Sequence, residues 1–375
     1  KGYGICRANG TLYFIVSNSW LGIDSFLNFR KFLVENTKII DLVKCNGNVF
    51  DATVTPVIFG FKKESVKENE IPMHLLIDTR FVVLPNKLKY SNIRKLPSFP
   101  FSFDQQFTFS IPVIKLGSIA HFTLGIKTSD DLRFISDSKR DNDSYRLIRG
   151  KDVSRWKIKY ANKWLWYKPE LMSEKKGAGP RRLEYFITEK KIVIKDVAKG
   201  IEAAIDNSRY LTNDTLNSIY KLEQYSFEYI LSILNSELLN VWYSNVYSSG
   251  LHIKLNELRE LPIAIIDKSI NSKIDLVVDY IHAINETVLF TFFSTVLNGI
   301  IYELYFPTEL KSANKEILKH LCDLKPITDS MSEEEKLAVI QSEFERFYDP
   351  NHPVRNNLET LDSIEEVRII KEALK

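Results

Sequence analysis

Cysteine is scarce in this sequence of 375 residues, which contains only Cys6, Cys45 and Cys322. The three are odd in number and far apart, so their spacing predicts neither a disulfide framework nor a zinc site. The six histidines are scattered and show no metal-ligand spacing either. Free cysteines fit a reducing compartment, and we therefore expect a cytoplasmic protein without a metal site.

Long hydrophobic runs are also missing. The most apolar stretch, residues 288–302, is interrupted by four Ser, Thr or Asn residues, whereas a membrane-spanning helix needs about 20 predominantly apolar residues. The pattern predicts a buried helix and no membrane partner. The sequence begins with Lys1, and no signal-peptide pattern follows it. We expect this first residue to mark a cut in a longer chain.

A strong net charge is absent as well, because the formal charge is only +3. The charge is nevertheless unevenly distributed. Residues 139–199 contain 18 Lys and Arg against 8 Asp and Glu, whereas residues 309–375 contain 10 against 15. A basic central segment beside an acidic tail indicates a surface that meets phosphates. A solvated lysine-rich surface is the alternative.

Hydrophobic periodicity divides the chain into four segments and predicts an α+β fold. Residues 1–64 alternate strand, helix, strand, strand, and the continuous apolar run at 11–17 is typical of a strand buried on both faces of a mostly parallel sheet. Proline-rich residues 65–112 predict an extended linker with one short helix. Residues 113–265 predict an α+β domain, and residues 266–375 a helical region with helices near 312–323, 332–347 and 358–374.

Short sequence stretches in two of these segments resemble DNA methyltransferases. Residues 10–21 (GTLYFIVSNSWL), 29–33 (FRKFL) and 49–54 (VFDATV) resemble the last strands of adenine-N6 DNA methyltransferases, particularly those of fused type II restriction-modification enzymes. Residues 150–263 are similar to the C-terminal specificity domain of TaqI-type methyltransferases. That similarity rests on 150–156 (GKDVSRW), 191–195 (KIVIK), Asp206, the predicted helix at 227–240 and 256–262 (NELRELP).

The resemblance implies a partial α/β methyltransferase-like sheet, a target-recognition domain that binds double-stranded DNA, and a helical tail. The family's S-adenosylmethionine strand and its Asn-Pro-Pro-aromatic catalytic loop precede the matched residues and are absent from this sequence. We therefore expect no catalytic residue and no cofactor on this chain. S-adenosylmethionine, with magnesium as a further candidate, would belong to a parent enzyme whose missing N-terminal methyltransferase portion is the expected partner. The alternative is a specificity or scaffold subunit that docks a separate methyltransferase.

Positively charged and amide side chains around the quoted motifs are the candidate DNA-binding residues. A glycine-rich loop at 177–180 can approach a phosphate backbone without a Cβ collision, and cations on both sides of it release counterions. Base discrimination requires side chains such as Arg, Lys or Asn at base edges, for which we select Arg181, Arg182, Asn162 and Lys254. The full set is Lys151, Arg155, Lys157, Lys159, Asn162, Lys175, Lys176, Arg181, Arg182, His252 and Lys254.

Two other patterns allow a functional and a structural interpretation. Trp156, Trp164 and Trp166 are able to stack on bases, but the spacing of Trp164 and Trp166 favours one core-facing side of a strand. The triplet Glu189-Lys190-Lys191 loosely matches the acid-x-Lys pattern of metal-dependent nucleases. Charged strands produce such triplets by chance, so a nuclease site is the less favoured interpretation.

Overall fold

A computed structural model describes residues 1–22, 24–46, 56–77, 80–95, 99, 101, 109, 111–247 and 252–374. The fold class is α+β, as the sequence predicts. Backbone contacts divide the chain into two compact units. Unit 1 comprises Lys1–Phe107 with Trp242–Gly250, and unit 2 comprises Thr108–Val241 with Leu251–Lys375.

Unit 1 is built around one five-stranded sheet with the strand order β1-β3-β2-β4-β5. Its core is formed by aromatic and aliphatic side chains such as Trp20, Leu33, Phe59 and Tyr90. The elements are α1 (Gly2–Ile5), β1 (Thr11–Ser17), α2 (Leu27–Asn36), β2 (Lys38–Asn46), β3 (Pro56–Lys62), β4 (Glu70–Ile77), β5 (Arg80–Lys89) and α3 (Tyr90–Lys95).

The predicted order of strand, helix, strand, strand is confirmed, but the predicted environment of β1 is wrong. β1 lies at an edge of the sheet and pairs antiparallel with β3, and only β2 and β4 pair in parallel. Tyr13, Phe14 and Ile15 are 50%, 38% and 43% exposed. An apolar run identifies a strand, but it does not show whether a neighbouring strand covers it. Residues 47–55, which include the 49–54 motif, lie outside the described residues.

The prediction of a linker at residues 65–112 is wrong for its first half. The short helix expected there is α3, but β4 and β5 are strands that complete the sheet. Pro85 is tolerated because β5 is an edge strand, where the missing N–H breaks no essential ladder bond. Pro72 precedes a register shift between β4 and β5. Pro72 and Pro85 therefore lie within strands, and they do not interrupt regular structure as the sequence interpretation assumed.

Unit 2 combines two four-stranded sheets with a group of helices. The sheet orders are β15-β9-β12-β8 and β14-β13-β16-β7, and the pairs β10-β11 and β17-β6 stand beside them. The strands are β6 (Val113–Lys115), β7 (Ala120–Leu124), β8 (Ile135–Ser136), β9 (Ser144–Ile148), β10 (Val153–Ser154), β11 (Lys157–Ile158), β12 (Lys163–Trp166), β13 (Lys191–Lys195), β14 (Ala203–Asp206), β15 (Leu211–Thr212), β16 (Leu216–Leu222) and β17 (Pro262–Ala264).

The helices of unit 2 include α7, whose last residues belong to unit 1. They are α4 (Asp131–Phe134), α5 (Pro169–Ser173), α6 (Phe227–Asn235), α7 (Glu237–Val246), α8 (Leu255–Arg259), α9 (Lys268–Ala283), α10 (Thr287–Tyr305), α11 (Pro307–Ser312), α12 (Glu333–Tyr348), α13 (Pro353–Glu359) and α14 (Glu365–Ala373). Apart from residues 242–250, contacts group residues 113–265 and 266–374 in the same unit, so a domain boundary at 265 stays a prediction.

Local capping patterns predicted some of these helices better than others. Ser226 caps α6, and Ser332 and Glu335, which have the Ser-x-x-Glu spacing of a capping box, form one at the start of α12. The helix predicted at 312–323 is wrong, because α11 ends at Ser312 and only a short 3-10 turn follows. The helix predicted at 358–374 is interrupted before α14. The N-cap residue of α2 is Phe26, which makes no side-chain capping hydrogen bond.

The apolar stretch at 288–302 lies within α10, as predicted. Among the described helices, α10 is the one whose length and composition would suit a membrane span, and 44% of its most apolar window is buried inside the protein. Phe293, Val296 and Ile300 are buried, and α10 packs against α9, whereas Val288 near its start is 60% exposed. The helix therefore has one side in the core of unit 2 and one side on its surface.

Candidate nucleic-acid interface

Six loops of unit 2 are joined by backbone contacts into one continuous surface, here called the loop edge. It comprises residues 125–128, 149–152, 174–182, 196–200, 213–215 and 252–254. Lys127 and Gly179 exchange two backbone hydrogen bonds, at 3.0 and 2.8 Å. Ile126 forms a bridge with Asn213. The loop edge contains nine Lys and Arg against four Asp and Glu.

Thr215 joins the remaining loops of this surface. Its hydroxyl accepts from the backbone N–H of Gly150 at 2.8 Å, and its carbonyl accepts from Asp196 N–H at 3.0 Å. The carbonyl of Asp196 accepts from Ile253 N–H at 2.6 Å. Candidate residues that are about 100 positions apart in the sequence are thus brought to one side of the domain.

A glycine permits the closest crossing within the loop edge. A Cβ on Gly125 would lie 1.8 Å from the backbone oxygen of Asn213. No side chain fits at that distance, so residue 125 must be glycine if the strand that leaves β7 is to pass directly beside the turn after β15. This crossing fixes Lys127, and through it the 174–182 loop, relative to the rest of the surface.

The four predicted cations of the 174–182 loop are all exposed but differ in their partners. Lys175 pairs with Asp130 at 3.1 Å, and Arg182 lies 3.6 Å from Glu184. Lys176 and Arg181 have no ion pair or side-chain hydrogen bond with any residue that the structure describes. These two cations therefore retain their full capacity for an external anion or base.

Residues 150–159 divide into structural and free cations. The guanidinium of Arg155 donates to the carbonyl of Ile201 at 3.3 Å and to Oδ1 of Asn240 at 3.2 Å. The ammonium of Lys157 donates to the carbonyl of Ile284 and to Asn285 Oδ1, both at 3.3 Å. These contacts give Arg155 and Lys157 a structural role, so DNA contact by either one stays a prediction.

Lys151 and Lys159 are the free cations of this segment. Both are exposed, and neither side chain has a partner among residues placed by the structure. They lie close together because the N–H of Lys159 donates to the carbonyl of Asp152 at 2.7 Å. Lys151 belongs to the loop edge, and Lys159 extends it along the β10-β11 hairpin.

The other three candidates lie at or next to the loop edge. Asn162 is exposed and precedes Lys163, whose register partner is Leu147, so it lies beside the residues that lead into Gly150. His252 Nδ1 lies 2.8 Å from Asp196, and Lys254 lies 3.6 Å from Glu257. Residues 248–251, which precede His252, lie outside the described residues.

The lysine of the nuclease-like triplet has a structural partner. Lys191 and Asp206 form an ion pair that is completely buried. Lys191 also donates to the carbonyl of Phe186 at 2.6 Å, and Asp206 accepts from the N–H groups of Ser208 and Tyr210. Burial lowers the pKa of Lys191, and the neighbouring carboxylate opposes that shift. Over the described ranges, no three His, Cys, Asp or Glu residues are placed to hold a metal ion.

The tryptophans are structural, although not in the way their spacing suggested. Leu165 is the buried residue of β12, and Trp164 and Trp166 are only half-buried. Trp166 donates to Asp141 at 2.8 Å and stacks on Phe134. Trp156 occupies a left-handed backbone conformation with φ of 71°, held by a hydrogen bond from its N–H to Ala203. The core-facing side of β12 was therefore assigned to the wrong residues.

An acidic cavity of about 1050 Å³ is a feature that the sequence did not indicate. It is lined by residues of β14, α6, α9 and α12, among them Glu228, Asp275, Asp279 and His282. Burial raises the pKa of Asp275 and of Asp279 to about 6, and Glu228 adds to both shifts. Burial lowers the pKa of His282 to about 4. The acids that meet here come from helices far apart in the sequence.

Comparison with known proteins agrees with the resemblance seen in the sequence. The model of the TaqI-like C-terminal specificity domain matches residues 145–263. A search of curated proteins finds no match.

Three solved structures illustrate the structural similarity. The type IIL restriction-modification enzyme MmeI, in complex with DNA, is 15% identical with a TM-score of 0.45, over 98% of this chain and 49% of that one. The type IIG restriction endonuclease BpuSI is 12% identical with a TM-score of 0.37, over 86% of this chain and 48% of that one. The ATP-dependent type ISP restriction-modification enzyme LlaBIII, bound to DNA, is 11% identical with a TM-score of 0.45, over 75% of this chain and 25% of that one.

The chain thus spans half or less of the length of these proteins. The matched residues lie in unit 2, except for the short segment Trp242–Gly250, which is grouped with unit 1. Residues 145–263 of this chain are similar to the TaqI-like C-terminal specificity domain.

Proposed function

We propose that this chain is the DNA-recognition portion of a restriction-modification adenine-N6 methyltransferase and that its loop edge binds double-stranded DNA. The observation that carries the proposal is the concentration of nine cations against four acids on one contiguous surface of unit 2, most of which lies within the residues similar to a specificity domain. Such a surface attracts the phosphate backbone.

The partner contacts of the cations support this interpretation. Lys151, Lys176 and Arg181 lie on the loop edge without a neutralising partner in the described parts of the chain. Exposed cations that do not stabilise the fold are available to displace counterions from DNA. Phosphate contacts position a protein on the duplex, and base contacts select the sequence.

The test is a fluorescence anisotropy titration of the full chain with duplex DNA at several salt concentrations. The logarithm of the association constant should fall linearly with the logarithm of the salt concentration, with a slope of roughly −0.9 per phosphate contacted. Changing Lys151 and Lys176 to Ala should reduce the slope by about 2 units if each contacts one phosphate. Wild-type binding that does not depend on salt would contradict the proposal.

The matched control changes Lys268 and Lys311, two exposed lysines outside the loop edge, to Ala. It removes the same charge and should leave the slope nearly unchanged. Equal effects of the two double variants would mean that binding follows net charge instead of this surface. The double change of Arg181 and Arg182 to Ala should weaken binding at low salt, and unaltered binding would remove the 174–182 loop from the interface.

Unit 1 supports the partner assigned in this proposal. Among the residues that the structure describes, β1 pairs with β3 on one side and with no strand on the other, and such an open edge favours pairing with another strand. An apolar cavity of about 860 Å³ lies beside it, lined mainly by aromatic residues such as Tyr3, Trp20 and Phe29. We propose that the methyltransferase portion pairs with this edge, because the sequence stretches in β1 and α2 resemble the last strands of adenine-N6 DNA methyltransferases.

Methyl transfer itself requires groups that this chain does not provide. The sequence has neither a glycine-rich strand end for S-adenosylmethionine nor an Asn-Pro-Pro-aromatic loop. We therefore place the cofactor in the methyltransferase portion, and magnesium only with a nuclease of the whole protein. A fused polypeptide and a separate methyltransferase subunit both fit the open edge of β1.

A methyl-transfer assay with labelled S-adenosylmethionine tests this assignment. The chain alone should transfer no label to duplex DNA, and adding the methyltransferase portion should restore transfer to adenine. Ile15→Glu should block restoration by placing a charge on the exposed edge. Label transfer by the chain alone, or full restoration with Ile15→Glu, would contradict the assignment.

A further inference from the structure

Arg181 occupies an unusual backbone conformation within the loop edge. Its φ is 52°, in the left-handed region that bulky side chains rarely adopt. Gly177 and Gly179 lie within four positions of it, yet the sequence places an arginine at the strained position. Such a conformation persists only where the surrounding contacts fix it, and it commonly occurs at functional sites.

The contacts around Arg181 form a rigid frame on both sides of the residue. Gly179 exchanges two backbone hydrogen bonds with Lys127. The hydroxyl of Tyr167 donates to the carbonyl of Arg181 itself at 2.6 Å, and the N–H of Tyr185 donates to the carbonyl of Arg182 at 3.3 Å. The backbone around Arg181 is therefore held by two other segments of unit 2, at Lys127 and Tyr167, and by the short turn that follows Arg182.

The side chain of Arg181 is free, in contrast to its backbone. It is exposed and has no ion pair or hydrogen bond with the described portion of the chain. Its guanidinium passes over Gly179, where a Cβ would lie 3.6 Å from Cζ. The neighbouring Arg182 and Lys175 each have a carboxylate partner. A fixed backbone with a free planar guanidinium is suited to directional recognition, whereas a flexible lysine provides a point charge.

We propose that Arg181 is a specificity-determining residue that contacts a guanine in the major groove of the bound duplex. Its two parallel N–H donors match the O6 and N7 acceptors of guanine, the commonest specific contact between arginine and DNA. Holding the backbone in advance limits the ordering required on binding. This inference rests on the proposed function. It assigns base recognition to Arg181 and contacts with the DNA phosphates to Lys176 and Lys151.

The experiment selects bound sequences from duplex DNA with a randomised core, using the full chain and its variants. Wild type should enrich sequences with one position strongly biased to a G·C pair. Arg181→Lys keeps the charge but loses the planar fork, so it should lower the preference at that position by on the order of tenfold to a hundredfold. Its salt slope should stay equal to that of wild type.

Two matched variants separate base reading from folding and from charge. Arg181→Gly removes the guanidinium and relieves the left-handed strain, so it should lose the same preference with an equal or higher Tm. Arg182→Ala removes the adjacent cation and should retain the preferred base. Tyr167→Phe removes the hydrogen bond to the Arg181 carbonyl and should reduce the preference partially, as expected of a positioning residue.

The outcomes distinguish this inference from the function on which it rests. If the wild-type chain binds no duplex DNA, both the proposed function and the inference about Arg181 fail. If wild type selects a sequence but Arg181→Lys retains its preference at every position, or weakens all sequences equally, Arg181 does not read a base and the proposed function stands. Loss of preference in Arg182→Ala but not in Arg181→Lys would assign the contact to the other arginine and overturn the inference.

Discussion

The guanidinium of Arg155 donates a hydrogen bond to Oδ1 of Asn240 at 3.2 Å, across 85 residues of sequence. The amide nitrogen of Asn240 in turn donates to the carbonyls of Leu234 and Ser236, where α6 ends and α7 begins. The GKDVSRW motif and the helix at 227–240 thus meet in one hydrogen-bonded joint. Both motifs indicated DNA recognition, and in the structure these residues join the segment after β9 to the helices α6 and α7.

Asn240→Ala should destabilise unit 2. Asn240 is buried, and truncation removes the amide that bonds the carbonyls of Leu234 and Ser236 and one end of the Arg155 guanidinium. Buried polar groups without partners cost about 1–3 kcal/mol in total stability. Urea unfolding should show this decrease, whereas Lys159→Ala, an exposed change, should stay within about 0.5 kcal/mol of wild type. Equal stability of Asn240→Ala and wild type would show that the joint is dispensable.

Asp206→Ala should have a larger effect, because it leaves the ammonium of Lys191 buried without a counter-ion. Removing one partner of a buried pair typically costs about 3–5 kcal/mol. The double change Lys191→Met with Asp206→Leu should cost less than the sum of the single changes. Glu223→Ala, in an exposed ion pair with Lys221, is the control and should cost at most about 1 kcal/mol. Additive effects in chemical denaturation would argue against coupling between Lys191 and Asp206.

Gly125→Ala should destabilise the loop edge by steric conflict. The added methyl would overlap the backbone oxygen of Asn213, which is fixed in a turn and cannot rotate away. Overpacking of this kind costs about 1–3 kcal/mol, visible as a lower Tm. At Gly179 the added Cβ would find only ordinary contacts, 3.6 Å or more away, so Gly179→Ala should have the smaller effect. A larger decrease in Tm for Gly179→Ala than for Gly125→Ala would contradict the close approach of Gly125 to Asn213.

Stability should depend on pH through Asp275 and Asp279. Burial raises the pKa of each from 3.8 to about 6, so the folded state binds protons more tightly than the unfolded state. Their contribution is most favourable below the unfolded pKa and is lost as the pH rises through the folded pKa. The groups facing them are Glu228 from α6, Asp329, Lys190, Ser226 and Asn271.

Asp279→Asn should consequently raise the Tm at about pH 8 and have little effect at about pH 4. Because both carboxylates are only partly buried, the expected gain is roughly 1 kcal/mol, or about 2–4 °C in Tm. Asp323→Asn, at an exposed position, should change the Tm equally at both pH values. A gain of Asp279→Asn that is the same at both pH values would show that the carboxylate charge is not its cause.

Local patterns predicted the features that depend on neighbouring residues. The strand and helix order at the start of unit 1, the Ser226 cap and the Ser332 capping box follow from short sequence windows. The exposure of β1 and the pairing of β4 with β5 depend on which strands are present beside them. The hydrophobic pattern within residues 11–17 or 70–89 does not show which strands lie beside them.

The candidate site was predicted in location but not in detail. The basic segment identified the correct part of the chain for a cationic surface. The cations with structural partners could not be separated from the free ones, because Lys175 pairs with a residue 45 positions away and Lys157 with one 128 positions away. The acidic cavity was missed for the same reason, because its acids come from separate helices.

The central claim is that the loop edge of unit 2 contacts double-stranded DNA. Hydrogen–deuterium exchange of the full chain with and without duplex DNA tests it most directly. The account predicts slower amide exchange in residues 125–128, 149–152, 174–182 and 213–215 when DNA is bound, with no change in α12–α14. Protection confined to the helical region, or no protection of the loop edge under conditions where DNA binds, would contradict it.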